Sequence, residues 1–131
     1  MSSPDDLRYT DKHEWVRGTD SKVVVGITDF AQSALGAVVH IEFPEIGAAV
    51  VSGEPCAEIE STKSVSEIYS PASGRVVAVN AALSDQPEVV NDDCYGGGWL
   101  LELDVDPATF ASLLSSTEYD ALIETQGDGS H

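Results

Sequence analysis

Glu58-Ile59-Glu60-Ser61-Thr62-Lys63-Ser64-Val65-Ser66-Glu67-Ile68-Tyr69 carries two short alternating runs of apolar and polar residues. Such alternation predicts two strands, with Lys63 at the turn between them. The tight hairpin favoured by strand twist usually has Gly or Asn-Gly at its centre. This turn offers only Ser, Thr, Lys and Ser. The register of the flanking strands is therefore expected to hold it. The chain has only three lysines, and this one lies among Glu54, Glu58, Glu60 and Glu67. A long amine on a hairpin tip adds little to a core. It is well placed to be modified or to reach another protein.

Outward from the hairpin, short elements alternate with turn signals. Arg17-Gly18-Thr19-Asp20 is the first turn signal, and Val23 to Ile27 reads as a buried strand. A short helix follows, with Asp29 as expected cap, Gln32 completing a capping-box pattern and Gly36 at the exit. Val38 to Phe43, Val50-Val51, Cys56 to Glu60, Val65 to Tyr69, Arg75 to Val79 and Trp99 to Leu103 read as strands. Asp106-Pro107 predicts a helix through about Leu114, with Asp as cap and Pro in the first turn. Ser116 to Glu124 reads as another helix, and 125–131 as a disordered polar tail. Short strands with frequent turns predict a mostly β sandwich or barrel with short helices. Gly36 to Ile41 echoes Gly74 to Val79, and Val50 to Glu54 echoes Val89 to Asp93, which suggests two similar halves joined near Lys63.

At 131 residues the chain is expected to be a single domain with a core at about 7–124. Its 42% hydrophobic and 22% charged residues match a soluble globular protein. The net charge of −17, from 23 acids against six bases, argues against nucleic acid and anionic membrane as partners, since both require basic patches. It favours solubility and steering toward basic docking surfaces. No apolar run approaches the roughly 20 residues that span a bilayer. Met1 to Asp6 is acidic and resembles neither a secretory signal nor an Arg-rich transit peptide. A cytoplasmic location and a monomer are expected. Cys56 and Cys94 lack ligand-like spacing and read as free, partly buried thiols.

Several motifs point to no chemistry. Gly96-Gly97-Gly98 lacks the Lys-Ser/Thr of a phosphate loop and reads as a flexible turn before Trp99. Asn91-Asp92-Asp93 lacks the remaining ligands of a calcium loop. His13 has no partner at metal-ligand spacing, and His40 lies inside a strand pattern. Trp15 and Trp99 read as core aromatics. No spacing resembles a nucleophile elbow. An exposed lysine is ordinarily an ammonium, with a pKa of about 10.4. A nucleophilic lysine needs burial or a cationic neighbour, so a Schiff-base enzyme fits poorly. Amide formation on the side chain asks only that a separate enzyme can reach it.

The segment Glu60 to Ser64 with Glu67 to Val76 resembles the lipoyl-lysine segment of the glycine cleavage system H-protein family. Tyr9 to Val16 resembles the opening motif of that family. Gly26 to Gln32 with Leu35-Gly36, Pro87 to Asn91, and Tyr95 to Leu100 resemble later blocks, in the same order and spacing. The resemblance covers roughly residues 7 to 124. It implies a lipoyl-domain-like sandwich of two antiparallel sheets, a barrel-sandwich hybrid, with Lys63 on a hairpin turn and helices at the C-terminus. It implies lipoate in amide linkage to Lys63.

The resemblance further implies a carrier with no catalytic residues of its own. The lipoyl arm would receive the aminomethyl group of glycine from a pyridoxal-phosphate glycine decarboxylase. It would pass it to a tetrahydrofolate-dependent aminomethyltransferase and be reoxidised by dihydrolipoamide dehydrogenase. A lipoate-attaching enzyme would install it. In that family a cleft acid lies where Glu14 falls and another where Glu67 falls, although Asp is more usual at the second place. Their expected role is to pair with the aminomethyl ammonium. Four alternatives stay open: a lipoate relay without glycine cleavage, a lipoyl domain of a 2-oxoacid dehydrogenase, a biotin carrier, and a stand-alone binding module whose lysine is never modified. A Pro/Ala-rich linker would mark the second, and methionines beside the lysine the third. Thr62 and Ser64 stand there instead.

Overall fold

A computed structural model of the chain describes residues 7–18, 22–106 and 113–129, with side chains described as far as 124. Nine strands form two sheets: β1 (Arg8–Tyr9), β2 (Glu14–Gly18), β3 (Lys22–Ile27), β4 (Val38–Glu42), β5 (Ala49–Val50), β6 (Pro55–Ser61), β7 (Val65–Tyr69), β8 (Gly74–Val79) and β9 (Leu101–Val105). The larger sheet runs β1-β2-β3-β9-β8-β5, the smaller β4-β6-β7, and neighbours pair antiparallel throughout. Helices α1 (Asp29–Leu35), α2 (Ala82–Asp85), α3 (Val89–Asp92) and α4 (Ser116–Gly129) complete the described residues. The expected sandwich of two antiparallel sheets is what forms. Among the described residues no helix is long and apolar enough to cross a membrane.

The larger sheet buries both faces. Strand residues alternate sides, and in β2 and β3 each side meets a different core. Val16, Val23, Val25 and Ile27 join Leu101, Leu103 and Val105 against Ile41, Ala57, Ile59 and Ile68 of the smaller sheet. Trp15 and Val24 face the other way, toward Leu7, Tyr9 and Tyr119. This explains why Val23 to Ile27 reads as a continuous apolar run, the mark of a strand covered on both faces. The second core is closed by α4, whose Tyr119, Leu122 and Ile123 lie at i, i+3 and i+4. Tyr119 stacks on Tyr9, ring centroids 4.7 Å apart. The smaller sheet keeps a wet outer face. Its carboxylates Glu42, Glu58 and Glu67 stand directly opposite one another on three adjacent strands, an arrangement that costs stability.

Local chemistry departs from the expected assignments in several places. Thr28, not Asp29, caps α1: its hydroxyl accepts from the Ala31 N–H at 3.3 Å. Asp29 is the first helical residue and accepts from Gln32 Nε2 at 2.9 Å. Gly36 does end the helix, at φ +88°. β9 begins at Leu101 rather than Trp99, because Asn80 Nδ2 donates to the carbonyls of Gly97 and Trp99 and holds that lead-in off the ladder. Gly96-Gly97-Gly98 is a tight wrap, not a loose turn: Asp93 O accepts from Gly96 and Gly98, and Asp93 Oδ2 from Gly97.

The internal echo fails in its second half. β4 and β8 are both strands, but Val89 to Asp92 is helical where Val50 lies in a strand. The helix expected from Asp106-Pro107 falls mostly on 107–112, outside the described residues; Leu114, its expected end, instead pairs with Tyr9 in an isolated bridge. α4 runs to Gly129, into the stretch expected to be a disordered tail, and 130–131 lie outside the described residues.

Trp15 lies across β3 at Gly26, its register partner, and donates Nε1–H to Cys94 O at 2.8 Å. A Cβ at Gly26 would collide with the indole ring. Gly26→Ala should therefore lower the unfolding free energy by about 1–3 kcal/mol, as read from urea unfolding. A loss below a few tenths would mean the ring can step aside.

Candidate functional site: a lysine turn and a buried carboxylate

Ser61, the last residue of β6, builds the turn that carries Lys63. Its side chain is buried, and its hydroxyl oxygen accepts from the N–H groups of Lys63 (3.2 Å) and Ser64 (3.1 Å). Its own N–H donates to Ser64 O at 2.8 Å. A serine oxygen reaching two or three residues ahead stands in for the glycine-based hairpin. Strand register was expected to hold this turn; the Ser61 hydroxyl holds it as well. A third anchor comes from the residue before β4, where Ala37 O accepts from Thr62 N–H at 3.0 Å. Lys63 itself is exposed, and its stem lies over Gly36, where a Cβ would come within 2.8 Å of Lys63 Cε. Among the described residues no carboxylate forms an ion pair with it.

Glu14 occupies the opposite environment. By strand alternation it shares its face with Val16, the face that packs against the smaller sheet. It is 1% exposed. Its Oε1 accepts from the Thr10 hydroxyl at 2.7 Å and its Oε2 from Tyr69 N–H at 2.9 Å. The carboxyl therefore ties the larger sheet to the end of β7. Thr10 also organises the approach, its hydroxyl accepting from Lys12 and Glu14 N–H while His13 turns with φ +69°. Burial pushes the Glu14 carboxyl up to about 7, against the pull of its two hydrogen bonds. Glu14 opens onto a cavity of about 320 Å³ bounded also by Thr10, Lys12, Gly53, Tyr69 and Pro71.

These two features meet one requirement of a tethered carrier: an accessible amine at one end of a hairpin and, at the other, an open cavity with a buried carboxyl in its wall. The sequence model of the family described as "Glycine cleavage H-protein" matches residues 7–126. The chain belongs to the glycine cleavage H-protein family. It is 48% identical over 125 residues to the glycine cleavage system H protein of Listeria monocytogenes serotype 4a, covering 95% of this chain and 100% of that one. It is 48% identical over 127 residues to that of Anaeromyxobacter sp. strain K, covering 96% and 99%. A crystal structure of the H protein from Mycobacterium marinum is similar at 43% identity and a TM-score of 0.82, covering 91% of this chain and 97% of that one. As a member of this family, the chain is a lipoyl carrier of the glycine cleavage system.

Within that family assignment, the three residues singled out from the sequence are not gathered in one place. Lys63 stands at the tip of the β6–β7 hairpin and Tyr69, on the cavity wall, at its base. From Val65 to Tyr69, β7 covers about 13 Å. Glu67 is exposed on the outer face opposite Glu58, and the cavity lining does not include it. Sequence reasoning missed Thr10 and Ser61, although hydroxyl residues flanking a motif residue are a legible sign of local side-chain hydrogen bonds. His13 has a packing environment: Nδ1 lies 2.7 Å from the Tyr119 hydroxyl, and the ring rests on Phe30.

A carboxyl raised to about 7 from an ordinary 4.5 keeps its proton in the folded chain after losing it in the unfolded one. Its stabilising share is thus complete below about pH 4.5 and is lost as pH rises to about 7. Glu14→Gln has no titrating proton; its amide oxygen keeps the acceptor for Tyr69 N–H, and its NH2 meets the Thr10 hydroxyl oxygen as donor in place of acceptor. Relative to it, the wild type should lose stability on the order of 3 kcal/mol across that window, as measured by urea unfolding at stepped pH. Parallel curves would refute it.

Proposed function

We propose that Lys63 is the lipoyl attachment point of this carrier and that Glu14 shelters the load on the arm. The observation that carries the reading is the built turn. Two backbone hydrogen bonds, and a serine hydroxyl that accepts from two further N–H groups, hold Lys63 at an exposed tip. The residues suit the group: the amine is accessible, and its stem already lies along the surface at Gly36. When bound, lipoate supplies a cyclic disulfide able to take up a one-carbon unit and two electrons. Holding and sheltering the arm falls to this chain's own side chains.

Attachment removes the charge of Lys63 and extends its reach along the hairpin toward the cavity. Glu14 there offers a carboxylate desolvated on most sides, and a cation entering would favour its ionised form. Tyr69 N–H and the Thr10 hydroxyl hold the carboxylate in place, so binding would cost little reorganisation. Burial of the load would also shield a hydrolysis-prone aminomethyl group from water. Glu67 has no such setting; its position beside Glu58 and Glu42 suits a contact made by a basic partner surface.

In this reading the chain catalyses nothing alone. Its partners are the pyridoxal-phosphate glycine decarboxylase, the tetrahydrofolate-dependent aminomethyltransferase, dihydrolipoamide dehydrogenase and a lipoate-attaching enzyme, met in the cytoplasm. Tethering keeps the arm at high local concentration at each of them once docked.

Expression with lipoate available should give an intact-mass increase of one lipoyl group, absent in Lys63→Arg. A biotin-sized increase, or none, would discard the assignment. Glu14→Ala should accept the lipoyl group as well as wild type does. It should release the aminomethyl group at least about tenfold faster, the loss of one charge-assisted hydrogen bond. Equal release rates would remove Glu14 from the role.

A further inference from the structure

We propose that Asn91 is a positioning residue for the Lys63 arm, acting through the Gly36–Val38 junction. Asn91 lies on α3, far from the hairpin in sequence. Its carboxamide grips the chain on both sides of residue 37. Nδ2 donates to Gly36 O at 2.8 Å, and Oδ1 accepts from Val38 N–H at 2.8 Å. The same Nδ2 also donates to Gln32 Oε1 at 3.0 Å, which ties the last turn of α1 into the clamp.

What lies between the two grips is the Ala37 carbonyl, the group that accepts from Thr62 N–H beside the lysine. A peptide fixed at both neighbours has a fixed carbonyl direction. Gly36 serves the same junction differently. With φ +88° and ψ −163° it occupies a region open almost only to glycine, and its bare Cα is the surface on which the Lys63 stem rests. The arm root thus sits on a notch whose floor is Gly36 and whose geometry is set by Asn91. β4 alone does not fix this junction: its pairing with β6 is irregular between Val38 and His40. A bulged edge leaves the approach to the turn free to shift, and the carboxamide removes that freedom.

The proposal rests on the reading of Lys63 as attachment point, and Asn91→Asp tests both separately. Asp keeps the shape and the acceptor for Val38 N–H but loses both donations. In the unmodified protein, amide hydrogen exchange at Thr62 should quicken about tenfold, while the β3–β9 ladder in the same sample stays unchanged. Lipoyl attachment at Lys63, followed by intact mass against time, should slow severalfold. A merely structural role would quicken Thr62 and the ladder together, which overturns the proposal. So does a Thr62 exchange equal to wild type, or a quickened Thr62 with attachment at the wild-type rate. A wild-type chain that accepts no lipoyl group would overturn the reading of Lys63, and with it the arm that Asn91 is said to position. The Thr62 exchange would then still tell whether the clamp itself exists.

Discussion

Burial of the larger sheet on both faces is the constraint from which the placement of the functional residues follows. A strand with one wet face can alternate apolar and polar residues. β2 cannot, because Trp15 faces one core and Val16 the other. The residue before Trp15 must then lie on the Val16 side, and that residue is Glu14. A carboxyl is thereby drawn into an apolar layer by the phase of the strand. Turn chemistry completes the site: Thr10 folds the β1–β2 connection back so that its hydroxyl meets the carboxyl, and the end of β7 presents a backbone N–H. Without those two donors the buried group would have no partner, a cost of several kcal/mol if charged. With them it remains costly enough to titrate near neutrality.

The lysine turn obeys a complementary rule. At the far end of the same hairpin the backbone is exposed, and water could satisfy it. A water-satisfied turn would be free to wander, and the Lys63 side chain with it. Ser61 resolves this by turning its side chain inward at a buried position, where its oxygen has few competing partners. The hairpin thus has a side-chain anchor at each end: Ser61 at the tip and, through Tyr69, Glu14 at the base.

β1 and β2 were not read as strands, but most strands and the sandwich were legible because period-two alternation is a property of the sequence itself. So was Lys63, since an isolated lysine between two alternating runs has few structural uses. The short helices α2 and α3 were not. Ala82 to Asp85 and Val89 to Asp92 are single turns without side-chain caps, and their apolar residues Leu83 and Val90 are buried for tertiary reasons. Val89 to Asp93 therefore passed for an echo of Val50 to Glu54. Thr28 lost its capping role to Asp29 on paper because both are good caps, and only the chain direction out of β3 distinguishes them. Glu14 was found through resemblance. Its burial could have been inferred from the phase of Trp15 and Val16, but only once it is known that both faces of β2 are covered. Glu67 carries the same chemistry on a strand of opposite phase at its position, and exposure is the result.

The two cysteines complete this picture. A carrier of a strained disulfide must not attack its own cargo, and thiol–disulfide exchange proceeds through the thiolate. Cys56, on β6, stands close enough to Glu14 to feel its charge. Burial first, and that charge second, push its thiol up to about 12. Burial, and then Asp29, push Cys94 up to about 11. Both are free thiols, and both stay protonated near neutral pH, where a thiol of ordinary pKa would be a few per cent thiolate. Burial does most of this, and at Cys56 the Glu14 carboxylate adds to it. A desolvated charge at the base of the hairpin disfavours thiolates within its reach.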